Sequence, residues 1–225
     1  MGRKSRMKRS GSVFPAATTP NAITPRGFFV GFIAGAMIMF VFMLFVNLSS
    51  LGGEIPTHQD ASTNQELQAL LSKASSLTGQ LEASEADAAL WTALGNTYYD
   101  IGSHYKFGSG LADVANPYFE KAVEAYSRSL EIQPGIVPVI VDRATAAYYM
   151  GDNDTASAGF QDAIALKPDF INARLNYGVF LANALEDYEG AIEHWEHVLT
   201  LNPSIDLRQK VERLISQARE HLTTP

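Results

Sequence analysis

Three stretches of this chain end alike. YSRSLEIQP, FQDAIALKP and WEHVLTLNP close at Pro134, Pro168 and Pro203, 34 and 35 residues apart. A self-similar period of that length marks stacked helical hairpins, each too small to bury its apolar face alone and each covering its neighbour's. It predicts an all-α chain. Each ending also holds a small residue four positions before its aromatic: Ala122 with Tyr126, Ala156 with Phe160, Ala191 with Trp195. The small residue lets two helices cross closely, and the aromatic one turn later fills the space between hairpins.

The first hairpin opens with Trp91, Leu94, Gly95 and Tyr98 in the spacing W-x2-L-G-x2-Y. With the recurring Ala, aromatic and Pro positions, this opening makes residues 88–203 resemble the tetratricopeptide repeat family. The resemblance implies a right-handed superhelical solenoid of three helical hairpins, at 88–134, 137–168 and 171–203. The later copies depart from the opening. Ile140, Arg143, Ala144 and Ala147 stand at its positions in the second, and Arg174, Tyr177, Gly178 and Leu181 in the third.

Flanking helices complete the solenoid. Over residues 62–87, Thr63 with Glu66 has capping-box spacing, and Leu67, Leu70, Leu71, Ala74, Leu77 and Leu81 form an apolar stripe; Ser84 with Asp87 offers a second cap. Residues 204–225 repeat that pattern with Leu207, Val211, Leu214, Ile215, Ala218 and Leu222 on one face. Such a helix covers the apolar end of a solenoid. The first copy also carries an insertion of about fifteen residues, 103–117 (SHYKFGSGLADVANP), after Gly102, which matches the family's inter-helix turn. Gly108 and Gly110 predict a mobile tip, and Tyr105, Lys106 and Phe107 a partner contact; a tolerated surface insertion is the alternative.

Ahead of the repeats lies a different kind of sequence. Residues 27–46, GFFVGFIAGAMIMFVFMLFV, carry no charge and as a helix span ~30 Å, one crossing of a membrane. A cleaved leader is the rival reading, with Ser50 and Gly52 as a small-residue cleavage site, but the apolar region of a leader has only ~7–15 residues. Gly27, Gly31 and Gly35 share one face of this transmembrane helix, where a second helix can approach. Residues 1–26 form a flexible tail with Arg3, Lys4, Arg6, Lys8, Arg9 and Arg26 and no acid, so the positive-inside rule places it in the cytoplasm. Residues 47–61 are a polar linker with a reach of ~50 Å. Everything beyond the anchor then faces the periplasm of a bacterial inner membrane.

Charge divides the same way. Six of the 17 Lys and Arg precede residue 27, leaving 11 against all 24 carboxylates, so the repeat domain carries about −13 and repels nucleic acid. The chain has no cysteine, which excludes disulfides, zinc-thiolate sites and thiol nucleophiles.

By resemblance, the ligand groove lies on the concave face formed by the first helices of the hairpins. That maps it to Asn96, Tyr99 and Asp100, with Thr92; to Asp142, Tyr148 and Tyr149, with Val141 and Thr145; and to Asn172, Asn176 and Asn183, with Val179. Amides can bond an extended peptide's backbone and tyrosines can stack on its side chains. The family's carboxylate-clamp subtype needs Lys and Arg, whereas Thr92, Asp142, Asn172 and Asn176 occupy those places. His194 and His197, three apart on a helix beside Trp195, lack a third metal ligand, and Asp152, Asn153 and Asp154 lack the glycine and distal glutamate of a calcium loop. No phosphate loop, nucleophile elbow or acid–base pair is present. The expectation is therefore a binding protein, with no enzymatic activity, cofactor or metal, that serves as a scaffold or adaptor in assembly of an envelope complex. Its layout resembles the anchored repeat subunits of cytochrome c maturation and the ancillary repeat proteins of the secretion translocon. A structural subunit of a resident membrane complex and a cleaved secreted accessory protein are the alternatives.

Overall fold

The computed structural model describes residues 58–223. Among them are eight α-helices and no strand: α1 His58–Ala83, α2 Ala88–Ser103, α3 Ala112–Ile132, α4 Val137–Met150, α5 Asn153–Leu166, α6 Ile171–Ala184, α7 Tyr188–Thr200 and α8 Ile205–Thr223. A π-helical turn, His104–Gly108, joins α2 to the segment before α3. The anchor read over 27–46, its glycines Gly27, Gly31 and Gly35, and the basic tail lie outside the described residues. Among the described residues no helix is long and apolar enough to cross a membrane.

Local chemistry sets the helix starts. Asp87, Asp152 and Asp187 each stand just before a helix, and their carboxylates accept from Leu90 N at 3.1 Å, Thr155 N at 3.1 Å and Gly190 N at 2.9 Å. Each occupies a donor that the first turn leaves without a partner. The prolines that mark the repeat are stop signals. Gln133, Lys167 and Leu201 cap α3, α5 and α7 at their C-termini, and Pro134, Pro168 and Pro203 follow within two residues, where a ring without an N–H cannot continue the helix.

Each helix packs on the next in the chain, and α2, α4 and α6, the first helices of the three hairpins, also touch their neighbours in that series. This makes the nearest-neighbour stack the period implies. All three repeat aromatics are buried, Tyr126 at 1%, Phe160 at 0% and Trp195 at 2% exposure, beside Ala122, Ala156 and Ala191 at 0%. Leu67, Ala74, Leu77 and Leu81 bury the stripe of α1 with Leu94, Ile101 and Ala125 of the first hairpin. At the other end, Val211, Ile215 and Ala218 of α8 close the core of the last hairpin around Trp195 and Val198.

Three local expectations need correction. Thr63 does not cap α1, because that helix starts at His58 and Thr63 lies within it. Ser84 is not the cap of α2; Asp87 is, through two backbone N–H groups. Gly102 is not an inter-helix turn, because α2 continues through it. A Cβ there would lie 2.9 Å from the Phe119 ring, so the glycine permits close approach of α2 and α3. The corresponding Gly151 in the second copy does make the turn, at φ +92, a backbone region open to glycine.

The insertion is accordingly built from longer helices. α2 runs to Ser103, and α3 begins at Ala112 with Pro117 in its second turn, where the missing N–H costs one main-chain bond. Between them the segment is held at both ends, while Gly108 and Gly110 at its tip are exposed. Lys106 Nζ donates to the Tyr149 carbonyl at 2.8 Å, Leu111 N donates to the Tyr105 carbonyl at 2.9 Å, and the Tyr105 ring stacks on Tyr118 at 5.6 Å.

Candidate functional site

Helix geometry first decides which side chains can meet. On α2, Asn96, Tyr99 and Asp100 fall at the three- and four-residue spacing of one face. They meet Asp142 and Thr145 of α4, Asn176 of α6 and the hydroxyl end of Tyr126 of α3 around a cavity of about 170 Å³. All three first helices therefore contribute to one polar hollow. Asn176 Nδ2 donates to Thr145 Oγ1 at 3.3 Å, linking α6 to α4, and the Tyr126 hydroxyl donates to Asn96 Oδ1 at 2.8 Å, linking α3 to α2.

Not every residue assigned to the groove lines this hollow. Tyr148 packs edge-on against Phe180 at 5.7 Å. Tyr149 stands in an aromatic cluster with Tyr99, Phe107 and Phe119, its ring 6.1, 5.2 and 5.5 Å away, and its carbonyl holds Lys106. Substituting Tyr149 would loosen the insertion, so such a variant reports on packing. Asn172 and Asn183 are exposed on α6 and line no part of the hollow. In the insertion, Tyr105 and Lys106 are engaged internally, whereas Phe107 remains 62% exposed. Tyr126 is the residue that sequence reasoning assigned to the core alone. Its counterparts Phe160 and Trp195 carry no hydroxyl, and that difference is the signal that it also faces a polar space.

The electrostatics of the hollow are one-sided. Burial raises the pKa of both Tyr99 and Tyr126, so their hydroxyls are neutral hydrogen-bonding groups at physiological pH. Burial also pushes the Asp142 carboxyl up to about 6 from its ordinary 3.8. Asp100 moves the same way, again through burial, with Glu66 adding to the rise and Lys73 opposing it. Neither aspartate belongs to any of the ion pairs among the described residues, which are Arg128–Glu131, His197–Asp169 and Arg219–Glu196.

A carboxyl whose folded pKa exceeds its unfolded value binds its proton more tightly in the folded state. The stability this adds is present below about pH 4 and is lost as pH rises toward 6. Asp152, lowered by its bond from Thr155, contributes in the opposite sense and lies elsewhere. Asp142→Asn, which keeps the shape and removes the charge, is therefore expected to raise the melting temperature at pH 7.5 while changing it little at pH 4. Circular dichroism melts at the two pH values measure this, and a variant no more stable than wild type at pH 7.5 would refute the electrostatic assignment.

No protein-family model matches the chain, and no curated protein matches it significantly. Solved structures do. A crystal structure of MamA aligns with TM-score 0.50 at 17% identity, covering 74% of this chain and 95% of that one. A crystal structure of MamA protein aligns at 0.49 and 18%, covering 72% and 83%. The TPR2AB-domain:pHSP90-complex of yeast Sti1 aligns at 0.40 and 15%, covering 72% and 81%. The fold is that of tetratricopeptide-repeat proteins. At these identities the likeness bears on the fold and on nothing finer.

The two histidines have separate surroundings. His194 is half-buried, its ring 4.8 Å from Tyr177 and its Nδ1 3.4 Å from Arg174 Nη1; burial and that guanidinium lower its pKa. His197 lies 3.3 Å from Asp169. Among the described residues no group of three or more His, Cys, Asp or Glu is arranged to hold a metal ion.

Proposed function

We propose that this chain is a membrane-anchored adaptor whose repeat domain captures an extended segment of a protein partner on its first-helix face. The observation that carries the reading is the convergence of Asn96, Tyr99, Asp100, Asp142 and Asn176, from three successive hairpins, on one hollow. Amide and hydroxyl groups there can satisfy a peptide backbone as water is displaced. The tetratricopeptide-repeat fold supports a binding role over a catalytic one, since nothing in the hollow pairs a nucleophile with a base.

Residues 27–46 act as the anchor in this reading, with the basic tail in the cytoplasm and the repeat domain in the periplasm, working in assembly or maturation of an envelope complex. The chain's lack of cysteine allows a direct test. A single cysteine at Ser62 is expected to react with a membrane-impermeant maleimide in intact spheroplasts, and protection until lysis would refute the periplasmic placement. Partner capture is tested in the same cells with a photo-crosslinking residue. Installed at Asn96 it should yield a discrete adduct that is absent when it replaces Glu131, an exposed residue near the end of α3. Equal crosslinking from both positions would remove the groove from consideration.

A further inference from the structure

The hollow is too small for most metabolites and is charged on one side only, and we infer that it receives a basic side chain, lysine or arginine, from the partner's extended segment. This inference rests on the adaptor reading and adds the chemistry of what is recognised. Size comes first. About 170 Å³ falls below the ~300–1,000 Å³ of typical small-molecule sites, and it suits one long side chain entering from a segment laid across the helices.

Charge decides the kind of side chain. The lining contains two carboxylates, Asp100 and Asp142, and no Lys, Arg or His. An acidic residue entering here would meet two like charges, and an aliphatic one would strand both carboxylates without water. A cation relieves both costs, because a partly buried charge is stabilised chiefly by an opposite charge within reach. Asp142 stands out in this lining: among the described residues it makes no ion pair, and burial raises its pKa. A half-buried carboxyl without an opposite charge beside it is a pattern associated with functional positions. The remaining groups fit the same guest. The hydroxyls of Tyr99, Tyr126 and Thr145 and the side-chain oxygens of Asn96 and Asn176 can accept from an ammonium or guanidinium. The excess of acids over bases in the repeat domain attracts a basic segment from a distance.

Protonation should govern capture. The titratable groups that line the hollow with Asp142 are Tyr99 and Asp100 on α2 and Tyr126 on α3, and α6 contributes the uncharged Asn176; Lys73 and Glu66 of α1 act on Asp100. The tyrosines stay neutral, so the two aspartates set the response below neutral pH.

The experiment uses the full chain in mild detergent and immobilised nonapeptide pools, randomised over uncharged residues and fixed at the centre as Lys, Arg, norleucine or Glu. Biolayer interferometry at pH 7.5 should show the Lys and Arg pools binding about three- to tenfold tighter than the norleucine pool, the scale of one partly desolvated charge pair, with the Glu pool weakest. Asp100→Asn combined with Asp142→Asn should bring the Lys and Arg pools to the norleucine level, and wild type at pH 5 should lose most of the preference. Lys and Arg pools that bind no better than norleucine, or a preference that survives the double substitution, would overturn the inference. If the uncharged pools bind and Asn176→Ala weakens them, the adaptor reading survives that result; if no pool binds at all, both fall.

Discussion

Phe160→Ala should lose ~3–5 kcal/mol of unfolding free energy, the range for truncating a fully buried aromatic. Phe160 has 0% exposure and lies between the second and third hairpins, its ring 5.8 Å from Tyr177 and 5.9 Å from Phe180. Many of the residues in its buried cluster are alanines, among them Ala144, Ala147, Ala156, Ala163 and Ala173. Side chains that short cannot swing into a void, so the cavity stays open and the loss belongs near the upper part of the range. Domains of this kind have only ~5–15 kcal/mol in total, so urea unfolding at 25 °C should show a large fall in midpoint. Because a solenoid is held together by neighbour interfaces, amide exchange should accelerate most in α5 and α6, on either side of the missing ring. A wild-type midpoint in this variant would disprove the packing of the second hairpin on the third.

The repeat was legible because each copy faces the same physical problem three times. A close crossing requires a small residue, the gap beyond it requires a large one, and the hairpin must stop, which is why Ala156, Phe160 and Pro168 recur as a set. Helix starts were less legible at Ser84, where two candidate caps stand three residues apart and only the backbone geometry shows that Asp87 occupies the position. The insertion was misread for a related reason. Glycine and proline signal turns, yet Gly102 serves close packing against Phe119 and Pro117 lies within a helix, so the same residue types answer to tertiary demands invisible in local sequence.

The site divides along similar lines. Helical spacing was enough to put Asn96, Tyr99 and Asp100 on one face, and the repeat offset carried Asp142 and Asn176 to the equivalent face of later hairpins. Depth was not readable. Asn172 and Asn183 share the stripe of Asn176 but remain exposed along α6. Tyr149 lies outside the lining of the hollow, its ring packed with Tyr99, Phe107 and Phe119, and the contact with Phe107 depends on how the insertion folds back. Polar groups at adequate spacing therefore mark one face of the helices, while the tertiary neighbours of each decide which of them line the hollow.

Two glycine-to-alanine substitutions should have opposite signs. In the interior of a helix the change ordinarily stabilises by ~0.5–1 kcal/mol, since alanine has less backbone freedom to lose. Gly79 of α1 meets that condition: a Cβ there would find no atom within 4 Å, and Gly79→Ala should raise the unfolding midpoint. Gly178 of α6 does not. Its added Cβ would press on Trp195 Nε1 and lie 2.8 Å from further ring atoms, where real Cβ contacts essentially never fall. Trp195 cannot yield freely, being 2% exposed with its indole N–H donating to the Leu175 carbonyl at 3.2 Å. Relief requires parting α6 from α7 or breaking that bond, and overpacking of this kind costs ~1–3 kcal/mol, more than the propensity gain returns. Gly178→Ala should therefore be net destabilising, with a red-shifted tryptophan emission reporting displacement of the buried indole. A stabilised Gly178→Ala would mean that the third hairpin is packed more loosely than the Gly178–Trp195 contact requires. Gly79→Ala in the same denaturation series supplies the reference for what alanine does in this chain when nothing stands in its way.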